Sequence, residues 1–301
     1  GSEMIRLFLP IAGTWAFIAY PFYRQPWAIQ PISVFGIIGM GMLIMLINHT
    51  LALTVMDILD TRKGLPQKFL SKRNLRGVQL LTLALSGIWL VMSLVLYFIP
   101  SNAPSVTVAA VQPEVSAIIS ANAGENALVE KIHARMMQQT REAVAQGARV
   151  VVWPEGSLSW DPQVEDRLGL RKLAMENKIH LVVGYVVMED ASIGFRNEAT
   201  VIDPEGNFLG VFGKDHPVVF GGETSLTRGT YPVYETPLGV LGTIICYDLD
   251  YTDTARKLAA QGAQLIGVPS NDWGSIADKH YTHVVFRAVE NRVAMVKADG
   301  G

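Results

Sequence analysis

The chain has 301 residues, of which 50% are hydrophobic and only 17% are charged, and its mean hydropathy is +0.26. This composition is too apolar for an ordinary soluble domain and predicts a membrane portion. The formal net charge of -2 excludes a global positive field that would collect nucleic acid. The single cysteine, Cys246, excludes an intrachain disulfide framework and leaves one thiol available for chemistry.

Residues 1–100 contain three runs without any Asp, Glu, Lys or Arg, and they cover residues 7–23, 27–56 and 78–99. About 20 apolar residues span the hydrocarbon core of a bilayer, so the second and third runs are long enough to cross. The first is marginal in length and contains Pro10. We expect it to be a span rather than a signal peptide, because no small-residue cleavage site follows it. A buried core helix is the alternative, but soluble core helices rarely extend so far without a charge.

The loop at residues 57–77 sets the predicted orientation of these helices. It carries two aspartates and six basic residues, which are Arg62, Lys63, Lys68, Lys72, Arg73 and Arg76. The positive-inside rule places this loop in the cytoplasm. The third run then ends on the far side, so the linker at residues 101–104 and everything after it are predicted to be extracytoplasmic.

Short apolar runs alternate with amphipathic stretches across residues 105–301, which we expect to form one catalytic domain. Strands are predicted at residues 106–111, 149–153, 180–187, 198–203, 207–212, 240–245 and 264–268. Helices are predicted at residues 125–146, 165–177, 252–261 and 281–291. The segment Pro204-Glu205-Gly206 predicts a hairpin turn between the fourth and fifth strands. This alternation of elements is typical of an α/β layer fold.

Three side chains with useful chemistry follow predicted strands. Cys246, Glu155 and Lys214 each come at or just beyond a strand end. Each alone has an ordinary explanation, as a buried inert cysteine, a solvated glutamate or a surface lysine. Together they supply a nucleophile, a carboxylate that can take its proton, and an ammonium that can stabilise a thiolate or an oxyanion. The set predicts acyl transfer from an amide or an ester.

The order and context of these residues resemble the carbon-nitrogen hydrolase (nitrilase) superfamily from about residue 106 to residue 301. The motifs that match are Trp153-Pro154-Glu155, Gly213-Lys214, Phe220-Gly221-Gly222-Glu223, Ile245-Cys246-Tyr247-Asp248 and Pro269-Ser270-Asn271-Asp272-Trp273. The resemblance implies an αββα sandwich preceded by transmembrane helices. It also implies that Glu155 is the general base, Lys214 the oxyanion stabiliser and Cys246 the nucleophile.

The same resemblance implies supporting residues around the three. Glu223 matches the second glutamate that positions substrate and lysine, and the backbone N–H of Tyr247 would complete an oxyanion hole. Asn271 and Trp273, which lie beyond the nucleophile in the chain, are expected to bind substrate. No cofactor is expected.

The upstream segments are similar to one branch of the superfamily, the apolipoprotein N-acyltransferases. The match lies in Gln30-Pro31-Ile32-Ser33 and in residues 36–48. It implies a multi-pass enzyme of the bacterial inner membrane, with a phospholipid acyl donor, a Cys246 thioester and a lipoprotein acceptor amine. A membrane-tethered amidase or nitrilase acting on a small C–N substrate is the alternative. A catalytically silent membrane scaffold is a third hypothesis, against which the triad argues.

Some features depart from that branch. Asp248 stands where the branch usually has Glu, and Asp215-His216-Pro217 replaces a more basic stretch, which bears on substrate identity more than on reaction type. The family has more spans and a longer catalytic domain, so we expect both ends of this sequence to be cut. His280 and His283 lie three apart with Asp278 nearby. With no further ligand cluster in the sequence, we expect a polar helix face there and no metal site.

Overall fold

The computed structural model describes residues 2–6, 13–63, 71–100, 103–114, 125–189, 194–219, 222–272 and 274–300. The chain divides into two compact units. One is built from residues 1–4 and 16–102, and the other from residues 5–15 and 103–301. A short helix α1 (Ser2–Arg6) opens the chain.

The first unit contains two long apolar helices, α2 (Ile32–Lys63) and α3 (Lys72–Phe98). Both are long and apolar enough to cross a membrane. Only 22% and 11% of their most apolar windows are buried, so most of this apolar surface is exposed. A kink interrupts α2 at Gly36, whose φ of 66° and ψ of 173° lie outside the helical region.

Polar side chains join α2 to α3 inside their apolar surroundings. Thr50 and Thr82 share a hydrogen bond of 2.7 Å between their hydroxyls, and Gln79 donates to the Thr54 hydroxyl at 3.0 Å. Buried threonines on paired helices satisfy each other in this way where water is absent. The helix α3 begins six residues before the predicted span because the Ser71 hydroxyl caps it by accepting the Asn74 N–H.

The predicted span at residues 7–23 differs from the structure in its described part. Residues 13–23 form turns and the start of a 3-10 helix (Tyr20–Arg24) instead of a continuous α-helix. Positive φ angles of 45° at Gly13 and 60° at Ala16 interrupt helical geometry, and Pro21 removes a backbone donor. Residues 7–12 lie outside the described residues.

The second unit is an αββα sandwich. Its first sheet has five strands in the order β1 (Val108–Ala110), β2 (Val150–Val152), β3 (His180–Met188), β4 (Phe195–Ile202) and β5 (Phe208–Gly213). The second sheet has four strands, β6 (Val233–Thr236), β7 (Gly239–Thr243), β8 (Leu265–Pro269) and β9 (Ala294–Ala298). The strands β1 to β3 are parallel, as are β7 to β9, whereas β4, β5 and β6 pair antiparallel with their neighbours.

Aliphatic faces of the two sheets pack against each other and form the centre of the sandwich. Val152 and Val182 from the first sheet lie so close to Gly267 in the second that a Cβ there would stand 3.1 to 3.2 Å from their methyl groups. The helices α4 (Glu125–Ala145) and α5 (Leu170–Asn177) cover the outer face of the first sheet. The helices α6 (Asp253–Ala260) and α7 (Gly274–Asn291) cover the second. The predicted α/β sandwich is confirmed, and its layers follow from strands that are apolar on both faces.

Candidate active site

Three strand ends bring the predicted reactive residues together. Glu155 lies three residues beyond β2, Lys214 directly follows β5, and Cys246 opens a 3-10 helix (Cys246–Asp250) after β7. The φ of Cys246 is 44°, in the left-handed region that ordinary residues avoid. A strained turn of this kind presents a nucleophile above the end of a sheet.

Lys214 is buried between two carboxylates. Its Nζ donates to Glu155 Oε1 at 2.8 Å and to Glu223 Oε2 at 2.8 Å. Burial alone would lower the pKa of Lys214, but the negative charges of Glu155 and Glu223 outweigh it and hold that pKa above its ordinary value. The lysine is therefore a fixed ammonium, as an oxyanion stabiliser must be.

A steric constraint requires glycine at position 213, directly before Lys214. A Cβ on Gly213 would fall 1.1 Å from the backbone oxygen of Thr227, so no side chain fits at this position. Gly213 thereby lets the segment around Thr227 pass directly over the end of β5. Packing therefore requires the glycine of the Gly213-Lys214 motif.

Asn197 joins the two carboxylates from the other side. Its Nδ2 donates to Glu155 Oε1 at 2.7 Å and to Glu223 Oε1 at 2.6 Å. The Val218 N–H donates to Glu223 Oε2 at 2.8 Å. These bonds fix both carboxylates around the ammonium, and the role of Glu223 in positioning substrate stays a prediction. We did not single out Asn197 from the sequence, although an asparagine within an otherwise buried strand was a signal that could have identified it.

The thiol of Cys246 is buried beside acidic groups. Burial, followed by the negative charge of Glu155, raises the pKa of Cys246 well above its ordinary value, and the nearby Lys214 only partly opposes this. The Sγ atom lies 3.6 Å from Asp272 Oδ1. A thiol in this environment is neutral at rest and needs a base that takes its proton as it attacks.

Asp272 is a second acidic partner of the nucleophile. It accepts hydrogen bonds from His280 Nδ1 at 2.8 Å and from Lys297 Nζ at 2.6 Å. Burial by itself raises the pKa of Asp272, but the bonds and charges of His280 and Lys297 hold that pKa well below its usual value. Asp272 is therefore a carboxylate. No separate role is predicted for Asp272 from the sequence, although it lies between two residues that are predicted to bind substrate.

Asp248 ties the nucleophile turn to the lysine segment. Its Oδ2 accepts the Ile245 N–H at 2.9 Å, and its Oδ1 accepts the N–H groups of Asp215 and His216 at 3.1 and 2.8 Å. Burial raises the pKa of Asp248 to about 7, while the charge of His216 and these backbone donors act in the opposite direction. The carboxyl thus links the residue before Cys246 to the two residues after the lysine.

The remaining predicted residues lie around these groups. Tyr247 follows the nucleophile with its ring edge-on to Tyr251 at 5.5 Å between centroids, and its role in an oxyanion hole stays a prediction. Asn271 is exposed and lines a cavity of about 240 Å³ together with Glu155. Apolar side chains of α4 form the opposite wall of this cavity. Trp273 lies outside the described residues, so its predicted contact with substrate is not tested.

Comparison with known proteins identifies the relatives of this arrangement. The sequence profile of the carbon-nitrogen hydrolase family matches residues 107–300. An apolipoprotein N-acyltransferase from Geobacter metallireducens is 26% identical across 99% of this chain and 60% of its own length. The omega-amidase NIT2 from Homo sapiens is 28% identical across 52% of this chain and 64% of its own. This chain therefore spans less than two thirds of either relative.

Among solved structures, an amidase from Nesterenkonia sp. is similar at 20% sequence identity with a TM-score of 0.45. The match covers 64% of this chain and 73% of that one.

Proposed function

The chain belongs to the carbon-nitrogen hydrolase family, and from this premise we propose that it is a membrane-bound N-acyltransferase. In this proposal it moves a fatty acyl group from a phospholipid to the N-terminal amine of a lipoprotein, through a thioester on Cys246. The extent of similarity carries the proposal. The apolipoprotein N-acyltransferase relative matches 99% of this chain, apolar helices included, whereas the omega-amidase matches only 52%.

The first half-reaction forms the thioester. As Sγ of Cys246 attacks the ester carbonyl of the phospholipid, the Glu155 carboxylate takes the thiol proton. The carbonyl oxygen becomes an oxyanion, which the Lys214 ammonium stabilises. The intermediate then collapses by breaking the bond to the glycerol oxygen, and Glu155 returns the proton to that oxygen. A lysophospholipid leaves and the acyl group stays on sulfur.

The second half-reaction uses the same groups in reverse. The neutral N-terminal amine of the acceptor attacks the thioester carbonyl, and Lys214 again stabilises the oxyanion. Glu155 takes a proton from the attacking nitrogen and gives it to Sγ of Cys246 as the carbon–sulfur bond breaks. The products are an amide and the resting thiol. A base that must act in both steps needs a fixed position, which the bonds from Asn197 and Lys214 provide.

The resting charges support this order of events. The Cys246 pKa is raised by burial and by Glu155, so the thiol holds its proton until a carbonyl is in place. A thiol that ionises only during attack is protected from unproductive alkylation and oxidation. The Lys214 ammonium and the Glu155 carboxylate then stand ready without any prior proton transfer.

The two apolar helices support a membrane location for the acyl donor. The basic segment at residues 57–77, predicted to be a loop, includes the charged ends of both helices, with Lys63 ending α2 and Lys72 beginning α3. Positive-inside topology places that loop in the cytoplasm. The catalytic unit follows α3 and in this proposal lies outside the cytoplasm, where mature lipoproteins carry their free N-terminal amine.

Steady-state product analysis tests the proposal. The detergent-solubilised protein is given a phospholipid with a labelled acyl chain and a diacylated lipopeptide with a free N-terminal amine. We expect N-acyl lipopeptide and lysophospholipid in equal amounts, with ping-pong kinetics. Cys246→Ala is the matched control and should form neither product. Hydrolysis of a small amide by the same preparation, with no transfer to the lipopeptide, would instead support the tethered-amidase alternative.

A further inference from the structure

A second cluster of titratable side chains lies behind the nucleophile. Asp250 ends the 3-10 helix that begins with Cys246, and His280 and His283 lie one turn apart on α7. The exposed fractions of Asp250, His280 and His283 are 0%, 2% and 0%. One ligand atom from each of the three lies within 4.8 Å of the others. The partner of the two histidines is thus Asp250, from a distant part of the sequence, rather than Asp278.

The acidic member of this cluster is incompletely satisfied. The Oδ2 atom of Asp250 and the Nε2 atom of His280 make no hydrogen bond within the described part of the chain. His280 Nε2 stands 3.7 Å from Asp250 Oδ2, and His283 Nδ1 contacts Asp250 Oδ1. Among the described residues no lysine or arginine pairs with Asp250. A buried carboxylate in this state is costly unless a cation accompanies it.

The other ring nitrogen of His280 is already anchored. Its Nδ1 donates to the carboxylate of Asp272, with distances of 2.8 and 2.9 Å to the two oxygens. Asp272 is itself held by Lys297 at 2.6 Å. A carboxylate can only accept, so Nδ1 carries a proton, and loss of the Nε2 proton on metal binding would present a lone pair toward Asp250. A carboxylate that orients a histidine in this way is the usual second shell of a metal-binding imidazole.

We propose that Asp250, His280 and His283 bind a zinc ion that fastens the nucleophile turn to α7. Two imidazole nitrogens and one carboxylate oxygen are a ligand set that zinc prefers. Bonds of about 2.0 to 2.2 Å place the ligand atoms of a tetrahedral zinc about 3.3 Å apart. The 3.7 Å between His280 Nε2 and Asp250 Oδ2 is close to that separation. The second Asp250 oxygen or a water fills the fourth position.

The surroundings suit a structural ion rather than a catalytic one. The ring of Trp15 lies against both imidazoles, with centroid distances of 6.4 Å to His280 and 5.5 Å to His283. This aromatic cover and the burial of all three ligands leave no open face for substrate. The ion would instead hold Asp250, four residues beyond Cys246, and so set the position of the turn that carries the thiol. The inference does not depend on which acyl acceptor the enzyme uses.

Another group of titratable side chains, separate from Asp250, His280 and His283, offers a matched control. Asp215, His216 and Asp253 also lie close enough together to hold an ion, but they are only partly buried. Their atoms already have partners, because His216 Nε2 lies 3.0 Å from Asp253 Oδ1 and Lys257 pairs with Asp253 at 2.8 Å. We therefore expect no ion there.

Metal analysis of the full chain tests the proposal. The protein is produced without a polyhistidine tag in zinc-supplemented medium, and elemental analysis should find about one zinc per chain. His283→Gln and Asp250→Asn should lose it, while His216→Gln should keep it. Asp272→Asn should bind zinc about 10 to 100 times more weakly, because only the second shell is removed.

A spectroscopic measurement covers the case in which the ligand variants fail to fold. Cobalt-loaded wild-type protein should show the visible absorption of a four-coordinate ion, and X-ray absorption should show two imidazole ligands. Chelation of the metal should lower the unfolding temperature of the wild type. The proposal is overturned if the zinc-exposed wild type holds no metal, or if His216→Gln loses the metal while His283→Gln retains it.

Discussion

Removal of the buried lysine separates its electrostatic role in catalysis from its role in folding. In Lys214→Met, Glu155 and Glu223 keep their shared bonds to Asn197 but lose the ammonium that lies 2.8 Å from each. Both carboxylate side chains are only 11% exposed. Removing one partner of a buried ion pair costs about 3 to 5 kcal/mol of folding stability. Loss of one oxyanion donor independently costs about 10²–10³ in rate, or about 2.7 to 4 kcal/mol of barrier.

A second substitution tells the two effects apart. Glu223→Gln in the Lys214→Met background removes one of the two unpaired charges, so the unfolding temperature should partly recover. The rate of acyl transfer to Cys246 should not recover, because the oxyanion still lacks its donor. Thermal unfolding in detergent and single-turnover acylation with phospholipid measure the two quantities. The reasoning is refuted if Lys214→Met acylates within tenfold of the wild type, or if the double variant regains the lost rate.

Three further predictions follow from the site and the membrane segments. Glu155→Gln removes a charge that raises the pKa of Cys246, so the pH at which iodoacetamide alkylates Cys246 at half its maximal rate should fall below that of the wild type, while acyl transfer is lost; a higher midpoint would contradict the assigned pKa direction. Gly213→Ala should reduce the free energy of unfolding by about 1 to 3 kcal/mol or more, because its Cβ would meet a backbone oxygen at 1.1 Å. The unfolding temperature should fall accordingly, and an unchanged melting curve would contradict this. In intact cells, a cysteine reporter at Lys72 should be shielded from an impermeant label and one at Gln163 should react, and the reverse pattern would remove the extracytoplasmic placement.

Much of the sandwich follows from the sequence because its central strands are apolar on both faces. The strand β3 starts at His180 as predicted, and β2, β7 and β8 lie within the predicted segments or within one residue of them. Two edge strands were not predicted. The strand β6 has four residues of which two, Glu235 and Thr236, are polar, and β9 contains Lys297, so neither shows the continuous apolar run of a central strand.

Two of the four predicted helices of the catalytic unit begin several residues away from their predicted starts in the structure. The helix α5 begins at Leu170 rather than at residue 165 because Gly169 takes a left-handed conformation with φ of 68°. The side chain of Asp166 then accepts the N–H groups of Leu170 and Arg171 at 2.6 and 3.0 Å. The helix α7 begins at Gly274, seven residues before the prediction, because its first two turns mix small, apolar and charged residues and show no clear amphipathic pattern.

The site was predictable where residue type and strand end coincide. Glu155 and Lys214 contact each other directly, and both influence the pKa of Cys246. Partners contributed by other elements were not predictable. Asp250 lies 30 residues before His280 in the chain, and only the packing of α7 on the nucleophile turn brings them together.

Mass analysis of the peptide that contains Cys246, after brief exposure of the full chain to phospholipid vesicles, tests the central claim most directly. The proposed mechanism predicts a fatty acyl group on Cys246, which disappears when a lipopeptide with a free N-terminal amine is added. Glu155→Gln should carry no acyl group. The mechanism is contradicted if Cys246 stays unmodified under conditions in which the same protein hydrolyses a small amide or nitrile.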